Sequence, residues 1–384
     1  MRQFVAVVIC AASVVPAGAS ATGPSLAVLR QAERASGLHA RRPIRVLVER
    51  APRYDADRAR VLERDYPRRL RELDDRLYAG LGLSAATEDI STKLTARARA
   101  SNAVYDPVAR VLRLRARPAP AREELVHEVV RALVDQNVGL RRLTGLRGRD
   151  RDRALAANAM VDAVAAAASG RRSPALAGTP LDRFLSVELT AGAGPGRRLV
   201  SQLRSIGGTF ALLSALRTFP QTTEQLLHVD KFLQRERALP IVLPTHADDR
   251  AVSTTATLSA SETFGELDVR ALLLTFALPE PERVADGWGG GRLALYVGAA
   301  GGPPTVLLVL RWDTPADAAE WRAVVGRLVA AAFPTAQARV CPAVDRCWLV
   351  GDREIAAASA GDVTAVASGP AGELVAATVA RSNR

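Results

Sequence analysis

The chain has 384 residues and a formal net charge of +12, with 52 lysine and arginine residues against 40 aspartate and glutamate residues. That length is enough for about two domains, and an apolar fraction of 48% excludes an intrinsically disordered protein. All but two of the basic residues, Lys93 and Lys231, are arginines, which is typical of a GC-rich coding bias rather than of a selected binding surface. Aromatic residues are also too scarce for a base-stacking surface, so the composition argues against nucleic-acid binding.

The N-terminal segment has the pattern of a secretory signal peptide. Arg2 precedes an apolar stretch, Phe4–Val15, and Ala17-Gly18-Ala19 and Ala19-Ser20-Ala21 both have the small-x-small form of a cleavage site. We therefore expect residues 1–21 to be a signal peptide and the mature protein to be secreted or extracytoplasmic, in the cell envelope. A lipid anchor at Cys10 is not expected because Ile9 before it is bulky. The absence of a later run of about 18 apolar residues predicts no transmembrane segment after cleavage.

The cysteines beyond that segment are Cys341 and Cys347. They flank a short turn containing proline and aspartate, and in an oxidising compartment such a pair most simply closes a disulfide. Two cysteines are too few for a four-cysteine zinc site.

The first part of the chain is predicted to be mainly helical. Residues 22–45 are polar and rich in proline and arginine, which indicates a leader or linker. Alternating apolar and arginine residues predict a half-buried strand at Val111–Arg115. The segment Arg141–Arg153 is predicted to be a solvated hinge. Helices are predicted from apolar spacing and from Gly and Pro stop signals at residues 55–83, 120–138, 154–168 and 181–233, the last broken at 192–196.

The character changes after residues 243–249, which are predicted to be a linker. Strand-like runs occur at residues 293–297, 306–311 and 348–350, with one helix between them at Pro315–Ala332, capped by Thr314. The sequence therefore predicts an α+β fold class, in which a mainly helical domain, 46–246, is followed by a smaller α+β domain, 250–384.

The clearest chemical signature is His127-Glu128 in a predicted helix, followed by Arg131 and by Asp135-Gln136. The segment is one residue away from H-E-x-x-H-A-L-x-D-Q. In that motif two histidines one helical turn apart bind zinc, and the glutamate is the general base that deprotonates the zinc-bound water. Here Arg131 stands at the position of the second histidine. By itself a His-Glu pair in a helix is weak evidence for a metal site.

The wider pattern resembles a family of exported bacterial proteins related to neutral zinc metallopeptidases. The motifs that carry the resemblance follow in order along the chain as Tyr105-Asp106-Pro107, His127-Glu128, Val161-Asp162-Ala163, Thr223–His228 and Asp286–Gly290. The resemblance extends from about Asp55 to about Phe333. It implies a gluzincin-type, zincin-like fold for residues 46–246, a zinc cofactor, Glu128 as catalytic base and His228 as a possible substrate contact, although His228 is equally consistent with a structural role.

The metal-ligand set that the resemblance implies is incomplete. His127 is retained, but Arg131 replaces the second ligand and Asp162 replaces the glutamate that is the third. Arginine has no free lone pair and stays protonated, so it cannot ligate zinc. We therefore expect a degenerate site that binds no cofactor, in which Glu128 is a vestigial base. Arg131 is expected to pair with Glu128 and Asp162, which would otherwise be costly buried carboxylates; the alternative is an outward pair with Asp135.

Three functions are consistent with these patterns. The leading one is a catalytically inactive, exported metallopeptidase-like protein whose cleft holds an extended peptide or an envelope protein beside Val111–Arg115. The second is an active, divergent zinc metallopeptidase in which His127, Asp162 and an unidentified ligand hold the metal and Glu128 is the base. The third is a binding module for anionic envelope polymers, through the arginine-rich segment Arg141–Arg153. His39 and His246 are predicted to be solvated, and no serine-nucleophile or nucleotide-binding motif occurs.

Overall fold

The computed structural model describes residues 21–85, 87–249, 254–298 and 302–382. These residues form an α+β fold in which a helical N-terminal part precedes a sheet-rich C-terminal part, so the predicted fold class is confirmed. Positions 1–20 of the predicted signal peptide, including Cys10, lie outside the described residues.

The secondary-structure elements are numbered in chain order. The helices are α1 (Leu26–Ser36), α2 (Ala51–Asp65), α3 (Arg68–Gly80), α4 (Ile90–Ala100), α5 (Arg122–Val138), α6 (Arg151–Ser169), α7 (Pro180–Leu189), α8 (Arg197–Thr218), α9 (Thr223–Leu227), α10 (Val229–Gln234), α11 (Glu266–Thr275), α12 (Pro281–Asp286), α13 (Pro315–Ala332) and α14 (Gly372–Ser382). The strands are β1 (Ala21–Thr22), β2 (Arg45–Glu49), β3 (Ala103–Asp106), β4 (Val111–Arg115), β5 (His246–Asp249), β6 (Thr254–Thr263), β7 (Trp288–Gly298), β8 (Thr305–Trp312), β9 (Gln337–Arg339), β10 (Arg346–Val350), β11 (Arg353–Ala360) and β12 (Val363–Gly369).

The strands form two sheets. The small sheet has the order β1-β2-β4-β3, in which β2 and β4 are parallel and the outer pairs are antiparallel. The large sheet has the order β5-β6-β7-β8-β12-β11-β10-β9 and is antiparallel throughout. The predicted strand Val111–Arg115 is β4, and it lies inside the small sheet with a neighbour on each side.

The first core lies between the small sheet and helices α1, α5, α6 and α8. Helix α6 is rich in alanine, and its small side chains allow neighbouring backbone to come close. A Cβ on Gly192 would lie 2.7 Å from the carbonyl oxygen of Ala159, and one on Gly196 would lie 2.9 Å from the Cβ of Ala163. The bend between α7 and α8 therefore packs directly on α6 beside Asp162.

The second core joins the two parts of the chain. Phe184 of α7 lies in one buried cluster with Trp312 of β8, together with side chains from α3, α4, α11 and α13. Helix α3 approaches the large sheet closely because Gly80 faces Val306, where a Cβ would lie 2.3 Å from the valine side chain. Helix α14 covers the other face of the large sheet. The two predicted domains thus share a continuous buried interior.

Several local predictions are confirmed. The helix expected at 120–138 is α5, which ends at Gly139 with a positive φ of 76°. The helix expected at Pro315–Ala332 has these bounds, and Thr314 caps it in a reciprocal hydrogen-bonded box with Asp317. Cys341 and Cys347 form the expected disulfide, with a Cα–Cα distance of 6.1 Å.

Three predictions about chain organisation are wrong. Residues 22–45 are not a loose leader, because they contain α1, capped by Ser25, which packs into the first core through Val28 and Ala32. The helix predicted at 55–83 is two helices, α2 and α3, separated at Pro67. Residues 243–249 are not only a linker, since β5 forms the edge of the large sheet by pairing with β6.

One helical stretch among the described residues, Pro180–Thr218, is long and apolar enough to cross a membrane, on length and composition alone. It comprises α7 and α8, and its backbone leaves helical geometry at Gly194, Gly207 and Gly208. One third of its most apolar window is buried inside the protein.

Candidate functional site

Helix α5 positions the residues of the His-Glu motif. Glu123 and Glu124 lie in its first turn, where carboxylates favour the positive end of the helix dipole. Its most apolar side chains are fully buried in the first core. His127 and Glu128 are consecutive and Arg131 follows about one helical turn later, on the part of α5 that meets β3 and α6.

Glu128 is a structural hydrogen-bond acceptor in this arrangement. It is 8% exposed, its Oε1 lies 2.9 Å from Nδ1 of His127, and its Oε2 accepts the backbone N–H of Tyr105 at 2.7 Å. Nε of Arg131 lies 3.6 Å from the same Oε2. Burial by itself would raise the pKa of Glu128, but the His127 hydrogen bond, the Arg131 charge and the Tyr105 N–H together lower the pKa to about 2.

Arg131 pairs with Glu128 and Asp162, as the sequence predicts, but its contact with Asp162 is only partly buried. Its Nη1 donates to Oδ1 of Asp162 on α6, while its Nε faces Glu128. Burial tends to lower the pKa of Arg131, but the two carboxylates raise it above its ordinary value, so the guanidinium is charged. The alternative partner, Asp135, instead accepts the hydroxyl of Tyr105 at 2.7 Å and the backbone N–H of Leu140 at 2.7 Å.

No zinc ion fits the His127–Asp162 face, which comprises His127, Glu128, Arg131 and Asp162. The guanidinium of Arg131 contacts both Glu128 and Asp162, so a positive charge already lies beside the carboxylates that a metal would need. His127 directs Nδ1 at Glu128. Among the described residues, two groups of three side chains have their potential metal-ligating atoms within 4.8 Å of one another. Neither group includes a residue of this face. We therefore derive no chemical step through a metal at this site.

The small sheet offers no backbone edge for a peptide beside β4. Strand β4 pairs with β2 along its whole length on one side and with β3 on the other. An extended peptide therefore cannot pair with the backbone of Val111–Arg115. At the edge strand β3, the backbone N–H groups of Ala103 and Tyr105 are held by Glu124 and Glu128 of α5, at 3.0 and 2.7 Å. The two donors that a docking peptide would use are occupied.

His228 lies at the junction of α9 and α10 and faces the C-terminal part of the chain. Its Nε2 lies 3.0 Å from Oε1 of Glu266, the first residue of α11, and 3.3 Å from Oδ1 of Asp286, the last residue of α12. The hydrogen bond to Glu266 raises the pKa of His228, against the opposing effect of burial. Sequence analysis singled out His228 and the Asp286–Gly290 segment but missed Glu266, which no local motif marks.

The arginine-rich segment 141–153 is not a uniformly solvated hinge. The guanidinium of Arg147 pairs with Asp74 at 2.7 Å and stacks over the Tyr66 ring, with 3.8 Å between Cζ and the ring centroid. Arg151, at the start of α6, is fully buried. Three of the four exposed arginines in this segment, Arg142, Arg149 and Arg153, line a groove of about 320 Å³ beside Phe219.

The buried Arg151 is the centre of an ionic network between the two parts of the chain. Its guanidinium contacts Glu188 of α7 and Asp268 of α11, and donates to the hydroxyl of Tyr78 at 2.7 Å. Its Nε lies 3.3 Å from Glu262 of β6. Burial raises the pKa of Glu188 to about 7, although the Arg151 charge opposes the shift. No sequence pattern indicated this network, because its members come from five separate elements.

Comparison with known proteins gives one partial match. Residues 254–378 match the model of a domain of unknown function, DUF8575. The matched region begins at β6 and ends within α14, so it includes Glu266 and Asp286 but not the His127–Asp162 face. No curated protein matches the chain, and no solved structure matches it.

Proposed function

We propose that this protein is an exported, catalytically inactive relative of the neutral zinc metallopeptidases, in which the former catalytic helix has a structural role. The single observation that carries this proposal is the position of Arg131, whose guanidinium contacts both Glu128 and Asp162. The guanidinium of Arg131 thereby provides the positive charge that a zinc ion provides in an active enzyme. Export is inferred from the signal-peptide pattern of residues 1–21.

The environment of Glu128 supports an inactive site. A general base works best with a pKa near the working pH, whereas the pKa of Glu128 is about 2. Both of its oxygens are engaged, one by His127 and one by the backbone of Tyr105. The rival function, an active zinc peptidase, would require Arg131 to leave this contact and two further ligands to approach His127.

The proposal is tested by metal content and proteolysis of the full chain. We expect the wild type to cleave no casein. We also expect His127→Ala to contain as much zinc as the wild type. The two proteins are compared because zinc bound elsewhere in the chain is counted equally in both. The control is Glu123→Gln, which removes an exposed carboxylate from the same helix. Cleavage that is present in the wild type and in this control but lost on Glu128→Gln would show an active peptidase and overturn the proposal.

A double variant, Arg131→His with Asp162→Glu, tests the ancestral placement of these residues. It restores the ligand set that the resemblance implies, so we expect it to gain about one equivalent of zinc that His127→Ala removes again. If the double variant gains no zinc, the assignment of Arg131 and Asp162 to former ligand positions is wrong.

The arginine groove favours a second function, binding of an anionic polymer. Arg142 and Arg153 are close enough for their charges to interact, and burial together with the Arg153 charge lowers the pKa of Arg142. An anion in the groove would relieve that repulsion. Arg147 cannot contribute, since it is held by Asp74.

Binding to inorganic polyphosphate measures this second function. We expect binding that weakens as salt rises, and a slope of log K against log salt that falls by roughly one to two when Arg149 and Arg153 are both changed to glutamine. The control is the pair Arg171→Gln and Arg172→Gln, which removes the same charge from another exposed segment. Equal losses in the two double variants would mean that only net charge matters and that the groove is not a site.

A further inference from the structure

Three potential metal ligands converge where the N-terminal helices meet α11 and α12. Nε2 of His228 lies 3.0 Å from Oε1 of Glu266 and 3.3 Å from Oδ1 of Asp286. All three ligand atoms lie within 4.8 Å of one another. Zinc with bonds of about 2.0–2.2 Å in tetrahedral geometry holds its ligand atoms about 3.3–3.6 Å apart, which is close to the two distances from Nε2 of His228.

The group is not satisfied by its own hydrogen bonds. One N–H on Nε2 can donate well to only one of the two carboxylates. Glu266 is fully buried, and the second oxygen of its carboxylate, Oε2, has no hydrogen-bond partner among the described residues. A buried carboxylate oxygen without a partner is costly, so this oxygen indicates that a cation belongs beside it.

We propose that His228, Glu266 and Asp286 form a binding site for a first-row divalent metal ion such as zinc. One imidazole nitrogen and two carboxylate oxygens make a ligand set that suits zinc or manganese, and there is no thiolate to favour copper(I). A divalent ion neutralises the two carboxylates while His228 binds it as a neutral imidazole. The site is independent of the His127–Asp162 face and of the proposed loss of peptidase activity.

The neighbouring charges leave room for this ion. Lys231 of α10 already pairs with three other carboxylates, which form the second group of converging acidic side chains. Its Nζ lies 2.5 Å from Glu224, 2.7 Å from Asp313 and 3.4 Å from Glu236. Burial raises the pKa of Glu266, although the hydrogen bond to His228 and, less strongly, the charge of Arg270 one turn along α11 oppose the shift. Neither cation forms an ion pair with Asp286 in the described structure.

The exposed side chains among the three ligands make the site accessible to an ion from solvent. Glu266 is fully buried, the side chain of His228 is 22% exposed and that of Asp286 is 65% exposed. The ion would therefore sit at the surface end of a buried carboxylate, with an open coordination position for water on the Asp286 side. Because His228 follows α9 whereas the carboxylates come from α11 and α12, the ion would join the helical part to the sheet-rich part.

The test is zinc stoichiometry and thermal stability of the full chain after removal of metal with a chelator and re-addition of zinc. We expect about one equivalent of bound zinc and a higher Tm with zinc. His228→Ala should lose both effects. Asp286→Asn, which changes an exposed side chain and so carries little folding risk, should weaken zinc binding at least about tenfold.

Matched controls separate this site from others. Asp230→Asn removes an exposed carboxylate from α10 close to His228 and should leave zinc binding unchanged. A wild type that binds no stoichiometric zinc or manganese would overturn this proposal and leave the proposed inactivity intact. Zinc that persists in His228→Ala and Asp286→Asn but is lost in His127→Ala would overturn both proposals.

Discussion

Replacing Arg151 by methionine is expected to destabilise the protein by about 3–5 kcal/mol, because removing one partner of a buried ion pair leaves uncompensated buried charge. The guanidinium is fully buried and contacts the carboxylates of Glu188 and Asp268, with Glu262 at 3.3 Å. Methionine has a similar length but offers no charge and no N–H donor. The three carboxylates would then have to be protonated or unpaired in the interior.

Urea unfolding at pH 7 and at pH 5 measures this effect. The loss caused by Arg151→Met should be smaller at pH 5, because burial already raises the pKa values of Glu188 and Glu262 and protonation removes part of the uncompensated charge. The control is Arg149→Met, two residues earlier and exposed, which should change the free energy of unfolding by less than about 0.5 kcal/mol. Equal, small effects of the two substitutions would mean that the network contributes little to stability.

Asp152 is expected to make the protein less stable as the pH rises. Burial, with a further contribution from the charge of Asp268, raises the pKa of Asp152 from 3.8 to about 8. Between these values the side chain is protonated in the folded state and ionised in the unfolded state. The contribution of Asp152 to the free energy of unfolding is therefore close to zero below about pH 4. Above that pH it increasingly destabilises the fold, by about 5 kcal/mol at about pH 8.

Asp152→Asn tests the direction of this pH dependence, because asparagine has nearly the same shape as a protonated aspartate. Its side-chain oxygen can still accept the backbone N–H of Thr223, which donates to Oδ2 of Asp152 at 3.0 Å. We expect the variant to match the wild type near pH 4 and to be several kcal/mol more stable at pH 8.5, by chemical denaturation at each pH. Asp230→Asn, on an exposed residue, should show no such divergence. A stability difference between the variant and the wild type that does not change between pH 4 and pH 8.5 would contradict the raised pKa of Asp152.

Elements with local signals were predictable. The C-terminal glycine of α5, the Thr314 cap of α13 and the alternation in β4 are all contained in a few consecutive residues. The strands of the large sheet that were missed carry no such signal. In β11 and β12, for example, Ala356 pairs with Ala367, and alanine has a low preference for strands. These strands form because they pair with neighbouring strands of the sheet, not because of the preferences of their own residues.

The same distinction applies to the candidate site. His127, Glu128 and Arg131 lie on one turn of one helix, so their proximity follows from helical periodicity. Asp162 was placed with them by the resemblance to the metallopeptidase family, and the contact with Arg131 is present. By contrast, Glu266 is 38 residues from His228 and was found only when the folded chain brought them together.

The sequence by itself determined the α+β class and the helix that carries the His-Glu motif, with Arg131 one helical turn after it. The tertiary structure alone decided which of the many arginines are buried as partners of carboxylates, where β4 lies in its sheet and which carboxylates surround His228. The physical reason is that secondary structure follows periodicity and caps within a short window, whereas burial, pKa shifts and ligand geometry depend on side chains that are distant in the chain and meet only in the fold.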